Sequence, residues 1–108
     1  MDTSRDNRAD DPTQPDVRMT YFVRGTVQGV GFRWWTRSRA LELGLVGHAR
    51  NLSDGRVEVV VQGPATAVEE MGALLSASPV PHRRPGLVET CTGVPGEVRA
   101  GLTGFEER

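Results

Sequence analysis

The chain contains no lysine: all 13 of its basic residues are arginine. Against 14 acidic residues they leave a formal net charge of −1. That balance gives no broad case for nucleic acid, whose binders carry an excess of positive charge. There is a single cysteine, Cys91, so no internal disulfide can form. No His and Cys pair and no pair of carboxylates stands at metal-ligand spacing, so no metal site is expected; no cofactor is expected either. No apolar run approaches the roughly 20 residues that a membrane helix needs. No apolar signal-peptide core follows Met1. With a lone thiol and no export signal, the expected compartment is the cytoplasm. What remains is 108 residues with 37% hydrophobic content. That describes one domain with a single thin core, expected to be a monomer.

Residues 1–16, MDTSRDNRADDPTQPD, hold five Asp and two Arg. The segment has almost nothing to bury and is expected to be a disordered charged tail. The folded domain is then expected over residues 17–108.

Apolar periodicity sets the elements. Val17, Met19, Tyr21 and Val23 alternate with Arg18, Thr20, Phe22 and Arg24. This predicts a half-buried strand over residues 18–25. Phe32, Thr36, Ala40 and Leu43 fall on one stripe at helical spacing and predict a helix over 32–43. Trp34 and Trp35 are adjacent, so they point in different directions and at least one is expected to be part exposed. Gly44 is a good helix stop. A second strand is expected over 45–51. Asp54-Gly55 then marks a hairpin into a third strand over 56–62. There Val57, Val59 and Val61 face one way, with Glu58, Val60 and Gln62 on the other. Gly63-Pro64 opens a second helix with the stripe Val68, Met71 and Leu75, ending near Ser76. Residues 78–86 read as a proline-rich loop, 87–91 as a fourth strand and 92–101 as irregular. A short last strand is placed at 103–106. The order β-α-β-β-α-β is that of a ferredoxin-like α+β sandwich, with two helices packed on one face of an antiparallel sheet.

The most informative stretch is GTVQGVGFR at residues 25–33. Gly25, Gly29 and Gly31 let a backbone turn sharply and approach a ligand. A turn of this kind at a helix start gathers unpaired N–H groups in one space. Those groups and the helix dipole both favour an anion. Arg33 falls in the first helical turn, where its planar guanidinium can hold two phosphate oxygens. The loop reads as a phosphate cradle with its own cation, although an ordinary turn with a solvated arginine has the same appearance. It matches neither GxxxxGK[ST] nor GxGxxG. In the ferredoxin-like arrangement the end of the second strand can approach this loop. Asn51 stands there, and its amide both donates and accepts, so it can hold and aim a water.

GTVQGVGFR and NLSDGRVEV, with 18 residues from Arg33 to Asn51, together resemble the acylphosphatase family. The intervening text FRWWTRSRALELGLVGHARN fits its bacterial members. The resemblance is strong over residues 18–76 and weaker beyond. PVPHRRPGLVETCTG loosely replaces a more regular strand there, and Glu107 stands where an apolar residue is common. The resemblance implies metal-independent hydrolysis of the carboxyl-phosphate bond of acyl phosphates, giving a carboxylate and inorganic phosphate without a phosphoenzyme. It implies a small acyl phosphate and inorganic phosphate as the molecules bound, with no nucleic acid and no membrane. Carried over by position, the backbone of Gln28, Gly29, Val30, Gly31, Phe32 and Arg33 wraps the phosphate. Arg33 binds its oxygens, and Asn51 orients the attacking water.

Other residues have plainer readings. His48 could act as a base, but a packed or surface histidine is the simpler account. Asp54 forms the turn. Cys91 lacks a basic neighbour to activate it and reads as an inert thiol. His82, Arg83 and Arg84 form a small basic patch in a solvated loop. Two other functions fit the same fold. One is a non-catalytic phosphate-binding or regulatory module, for which the water-holding Asn51 is superfluous. The other is an RNA-binding module, which needs aromatics on its sheet strands. The third strand, RVEVVVQ, has none.

Overall fold

The alternation of Val17, Met19, Tyr21 and Val23 builds the first strand, and the computed structural model describes residues 14–77 and 83–108. The elements run β1 (Asp16–Thr26), α1 (Phe32–Glu42), β2 (Val46–Asn51), β3 (Val57–Pro64), α2 (Ala65–Ser76), β4 (Leu87–Gly96) and β5 (Phe105–Glu107). The strands lie in the order β4-β1-β3-β2-β5. β1 pairs antiparallel with both β3 and β4, and β2 pairs antiparallel with β3. The antiparallel sheet with two helices is therefore present as the α+β pattern predicts. β5 adds a fifth strand, parallel to β2, which makes the sheet mixed.

Both helices pack on one face of the sheet: α2 buries its whole predicted stripe, and α1 buries Phe32, Thr36 and Ala40 of its own, while Leu43 caps the helix and is only partly buried. Val23, Val57, Val59 and Val61 point into the core from β1 and β3, each fully buried. Phe32, Trp35, Thr36 and Ala40 meet them from α1, and Val68, Met71 and Leu75 from α2. Full burial of each large apolar side chain contributes about 1.5–3 kcal/mol. The tryptophan pair splits as adjacency requires: Trp35 is buried, while Trp34 is 62% exposed. Tyr21 is buried in the same layer, and its hydroxyl donates to the Val68 carbonyl at 3.0 Å, locking α2 to β1.

Several element ends differ from the sequence reading by one or two residues, and the β1 start, the β4 end and Arg84 differ in ways that matter. β1 starts at Asp16, inside the segment expected to be tail, because Asp16 and Val17 pair with Pro64 and Gly63. Residues 1–13 of that expected tail lie outside the described residues, as do residues 78–82 of the expected loop, His82 included. β4 runs to Gly96 rather than stopping at residue 91, because Thr92 to Gly96 continue the ladder on β1. It is an edge strand, where Pro95 is tolerated since its missing N–H costs no ladder bond. Arg84, read as part of a solvated loop, is buried. Its Nη1 donates to the carbonyls of Leu74 and Leu75 at 2.9 and 3.0 Å, at the C-terminal end of α2.

Among the described residues no helix covers the other face of the sheet. It carries Arg18 and Thr20 from β1, His48 and Arg50 from β2, and Glu58 and Val60 from β3. The segment after β4 reaches across part of it.

Candidate active site

The turn between β1 and α1 has the geometry its glycines suggest. Gly29 and Gly31 sit at φ of 74° and 87°, in the left-handed region that a side chain disfavours. A Cβ at either would meet nothing within 4 Å. The requirement for glycine is therefore one of backbone conformation, and the space beside the loop is open. Gly25 differs. A Cβ there would lie 2.0 Å from the Leu87 carbonyl oxygen, so glycine lets β4 close against β1 just before the loop.

Gly31 is also the N-cap of α1. No side chain caps this end, and no acidic residue stands in its first turn. The first helical bond is from Trp35 N–H to the Gly31 carbonyl at 3.0 Å. An α-helix leaves the N–H groups of its first turn without intrahelical partners. Among the described residues no side chain caps them, an arrangement in which the positive end of the helix dipole suits an anion.

Contacts at both ends tie this loop to the end of β2. Gln28 Nε2 donates to the Leu52 carbonyl at 2.8 Å and the Arg56 carbonyl at 3.0 Å. The Gln28 side chain is thus a clamp onto the β2–β3 hairpin, and only its backbone is left for the loop. At the other end, Arg33 donates from Nη1 to the backbone oxygen of Arg108. Arg108 N–H in turn donates to the Ala49 carbonyl at 2.7 Å. Asn51 lies between these anchor points, next to Leu52 and two residues from Ala49. The loop, Arg33 and Asn51 are therefore held in one neighbourhood.

Asn51 pairs with Val57 at the end of the β2 ladder. Its Oδ1 is buried and has no hydrogen-bond partner among the described residues. Leaving a buried acceptor unpaired costs about 1–3 kcal/mol. Such an atom in a native fold calls for an explanation, a water or ligand contact being the usual one.

The remaining candidates are not brought into this neighbourhood. His48 is three residues before Asn51, and strand alternation turns it to the open face. Its Nε2 lies 3.4 Å from Glu58 Oε1. Burial holds its pKa below the ordinary histidine value, although Glu58 pulls the other way. Asp54 is a turn former. Its carboxylate accepts from Arg56 N–H at 3.1 Å and from Arg56 Nε at 2.8 Å, and these bonds hold its pKa below the usual range. Burial pushes the Cys91 thiol up, away from the reactive thiolate. Arg83 is exposed and Arg84 is committed to α2. Among the described residues no group of three or more His, Cys, Asp or Glu could hold a metal ion. No helix among them is long and apolar enough to cross a membrane.

Sequence reasoning missed the Arg33 contact to Arg108, which joins groups 75 residues apart. No local pattern signals where the chain end returns. It also missed the Gln28 clamp, since an exposed-looking glutamine in a loop has no signature.

The acylphosphatase family model matches residues 19–105. An acylphosphatase of Thermobifida fusca (strain YX) is 58% identical over 92 residues, covering 85% of this chain and 97% of its own. An acylphosphatase of Nocardia farcinica (strain IFM 10152) is 49% identical over 108 residues and aligns over the full length of both chains. Among solved structures, an acylphosphatase from Coxiella burnetii superposes with a TM-score of 0.74 at 26% identity, covering 91% of this chain and 100% of that one.

Proposed function

The chain belongs to the acylphosphatase family and hydrolyses acyl phosphates, and we propose that it does so with the loop of residues 28–33, Arg33 and Asn51. In this reading the backbone N–H groups of residues 28–33 and the start of α1 wrap the phosphoryl group. Arg33 binds its oxygens. A guanidinium has five N–H donors, so the bond to Arg108 orients Arg33 and leaves other donors for phosphate.

Phosphoryl transfer is mainly positioning plus charge stabilisation. The leaving carboxylate is stable, so it needs no general acid. Donors fixed in the fold stabilise charge on the equatorial oxygens without reorganising during the reaction. Asn51 holds the water in line with the bond that breaks, supplying the proximity term. Its amide is too weak a base to take the proton, which passes to the substrate phosphate. The water oxygen bonds to phosphorus, the P–O bond to the acyl group breaks, and carboxylate and inorganic phosphate leave.

The observation that carries the reading is the buried Oδ1 of Asn51, without a partner among the described residues, at a strand end tied to the loop. The same reading takes the enzyme as a cytoplasmic monomer with Cys91 as a reduced thiol, and light scattering of the purified chain checks the oligomeric state.

The decisive assay is benzoyl phosphate hydrolysis with a metal chelator present, for wild type, Arg33→Ala and Asn51→Ala. Wild type stays active. Asn51→Ala loses about 10²–10³ in kcat with KM little changed, in the range seen when one preorganised polar group is removed. Arg33→Ala raises KM and lowers kcat together. A folded Asn51→Ala enzyme within about twofold of wild type would remove Asn51 from the mechanism.

A further inference from the structure

On the open face of the sheet, two arginines from distant parts of the chain meet at one amide. Arg18 is near the start of β1, and Arg99 lies in the segment after β4. Between them sits Gln62 of β3, only 5% exposed. Its Oε1 accepts from Arg18 Nη1 at 3.3 Å and from the Arg99 N–H at 2.9 Å. Its Nε2 donates to the Arg99 carbonyl at 2.7 Å. A neutral side chain, not a carboxylate, therefore holds the Arg18 guanidinium and, through two backbone bonds, the main chain of Arg99.

Their charge is not balanced locally. Among the described residues neither guanidinium forms an ion pair with a carboxylate. Burial first, and then the charge of Arg99, push the Arg18 pKa below its ordinary value. The two border a groove of about 550 Å³, whose other walls include Arg50 and Arg108. The carboxylates nearby are largely committed. Glu58 lies 3.0 Å from Arg50 and 3.4 Å from His48, and Glu106 holds Arg108 at 2.9 Å. Glu97 on the rim is the exception. A chain with a net charge of −1 thus concentrates unpaired positive charge in a groove of small-ligand size.

We infer that this groove binds a small oligophosphate, two or three linked phosphate groups either free or carried on a nucleotide, with Arg18 and Arg99 as its anchoring pair. Guanidinium forks match phosphate oxygens bidentately, and two lining one groove suit linked phosphates better than a single one. Thr20, also on the wall, adds a hydroxyl donor. The groove lies on the opposite face of the sheet from Asn51, so it is a second site and not an extension of the cradle.

The test is calorimetric titration with tripolyphosphate in low salt, using Arg33→Ala protein so that the cradle does not contribute. One binding event is expected there, with orthophosphate at least tenfold weaker. Adding Arg99→Gln, at an exposed position that keeps its backbone bonds to Gln62, weakens tripolyphosphate binding about tenfold or more, as does Arg18→Gln. In the otherwise wild-type enzyme, Arg99→Gln leaves benzoyl phosphate hydrolysis unchanged. ATP binding as tightly as tripolyphosphate assigns the site to the phosphates alone, whereas tighter ATP binding assigns it to a nucleotide. Loss of all binding in Arg33→Ala, indifference to Arg99→Gln, or no heat up to millimolar tripolyphosphate each overturns the inference. So does an oligonucleotide that binds tighter than either through the same arginines, which would make the face a nucleic-acid surface.

Discussion

Asn51 and His48 are three residues apart on β2 and face opposite ways, and strand parity alone separates their surroundings. Asn51 turns toward the helix side, its oxygen unpaired among the described residues. His48 turns to the open face among Glu58, Arg50 and Arg108. Burial is the largest influence on its pKa and lowers it, and the positive charges of Arg108 and Arg50 act in the same direction. Glu58 opposes them through its hydrogen bond and charge. The fold thus prefers neutral His48, whereas the unfolded chain takes up the proton near pH 6.5. Below that pH the unfolded state binds more protons, so stability rises with pH. The contribution of His48 is fully present above about pH 6.5 and is lost as pH falls through its folded pKa. An NMR titration should place the His48 midpoint below about 6.5. His48→Gln should flatten the acid-side loss of stability and leave benzoyl phosphate hydrolysis intact. A raised midpoint, or a variant with collapsed turnover, would contradict this account. At this scale the sharp glycine turn before Arg33 was legible from its motif, and the structure has it, with Gly29 and Gly31 at positive φ. The partner of Arg33 was not, because a backbone oxygen 75 residues away leaves no mark in the sequence.

Element by element, the apolar stripes could be read and the ends could not. α2 shows the division. Val68, Met71 and Leu75 were legible from their spacing, and all three are buried. The groups that satisfy its two ends come from elsewhere. Gln14 Oε1 accepts the Thr66 N–H at 2.9 Å and the Thr66 hydroxyl at 3.2 Å near the N-terminus. Arg84 serves the C-terminal carbonyls, where the helix has no basic residue of its own. Helix ends leave backbone groups unpaired, and the chain can satisfy them from any distance. That is why residues 14–16 belong to the ordered fold and Arg84 is not solvated. Gly72 inside α2 gives a sharper test. Helix propensity alone favours alanine there by about 1 kcal/mol. Yet a Cβ at Gly72 would lie 2.5 Å from the Tyr21 hydroxyl oxygen and 2.8 Å from the ring carbon bearing it. The Tyr21 ring is packed and its hydroxyl is committed to Val68, so it cannot swing aside. Gly72→Ala should lower unfolding stability by about 1–3 kcal/mol, the usual cost of overpacking. Urea denaturation measures it, and a variant as stable as wild type would mean that Tyr21 yields easily.

For the molecule as a whole, the sequence pattern gives the strand order through β4, and the last strand decides how the site is closed. β5 is three residues long, and its sequence, Phe-Glu-Glu, has one apolar residue. Its importance comes from what it joins. Phe105 is 4% exposed within the core, its carbonyl accepts from Arg37 Nε at 3.0 Å, and Arg108 just beyond accepts from Arg33. β5 also covers the outer edge of β2 by parallel pairing, which no short-range signal specifies. Two variants separate its structural part from its part in the site. Phe105→Ala removes the buried ring but keeps the backbone oxygen that holds Arg33. It should cost about 3–5 kcal/mol of stability, the usual range for a buried phenylalanine. Under conditions where the variant is folded, its KM for benzoyl phosphate should stay near that of wild type. A chain ending at Gly104 loses the ring and the Arg33 anchor together. It should be at least as unstable and should also raise KM severalfold, because a guanidinium free to wander must be ordered again at each binding event. Equal KM values for the two folded variants would show that Arg33 needs no anchor, and would leave β5 a purely structural strand.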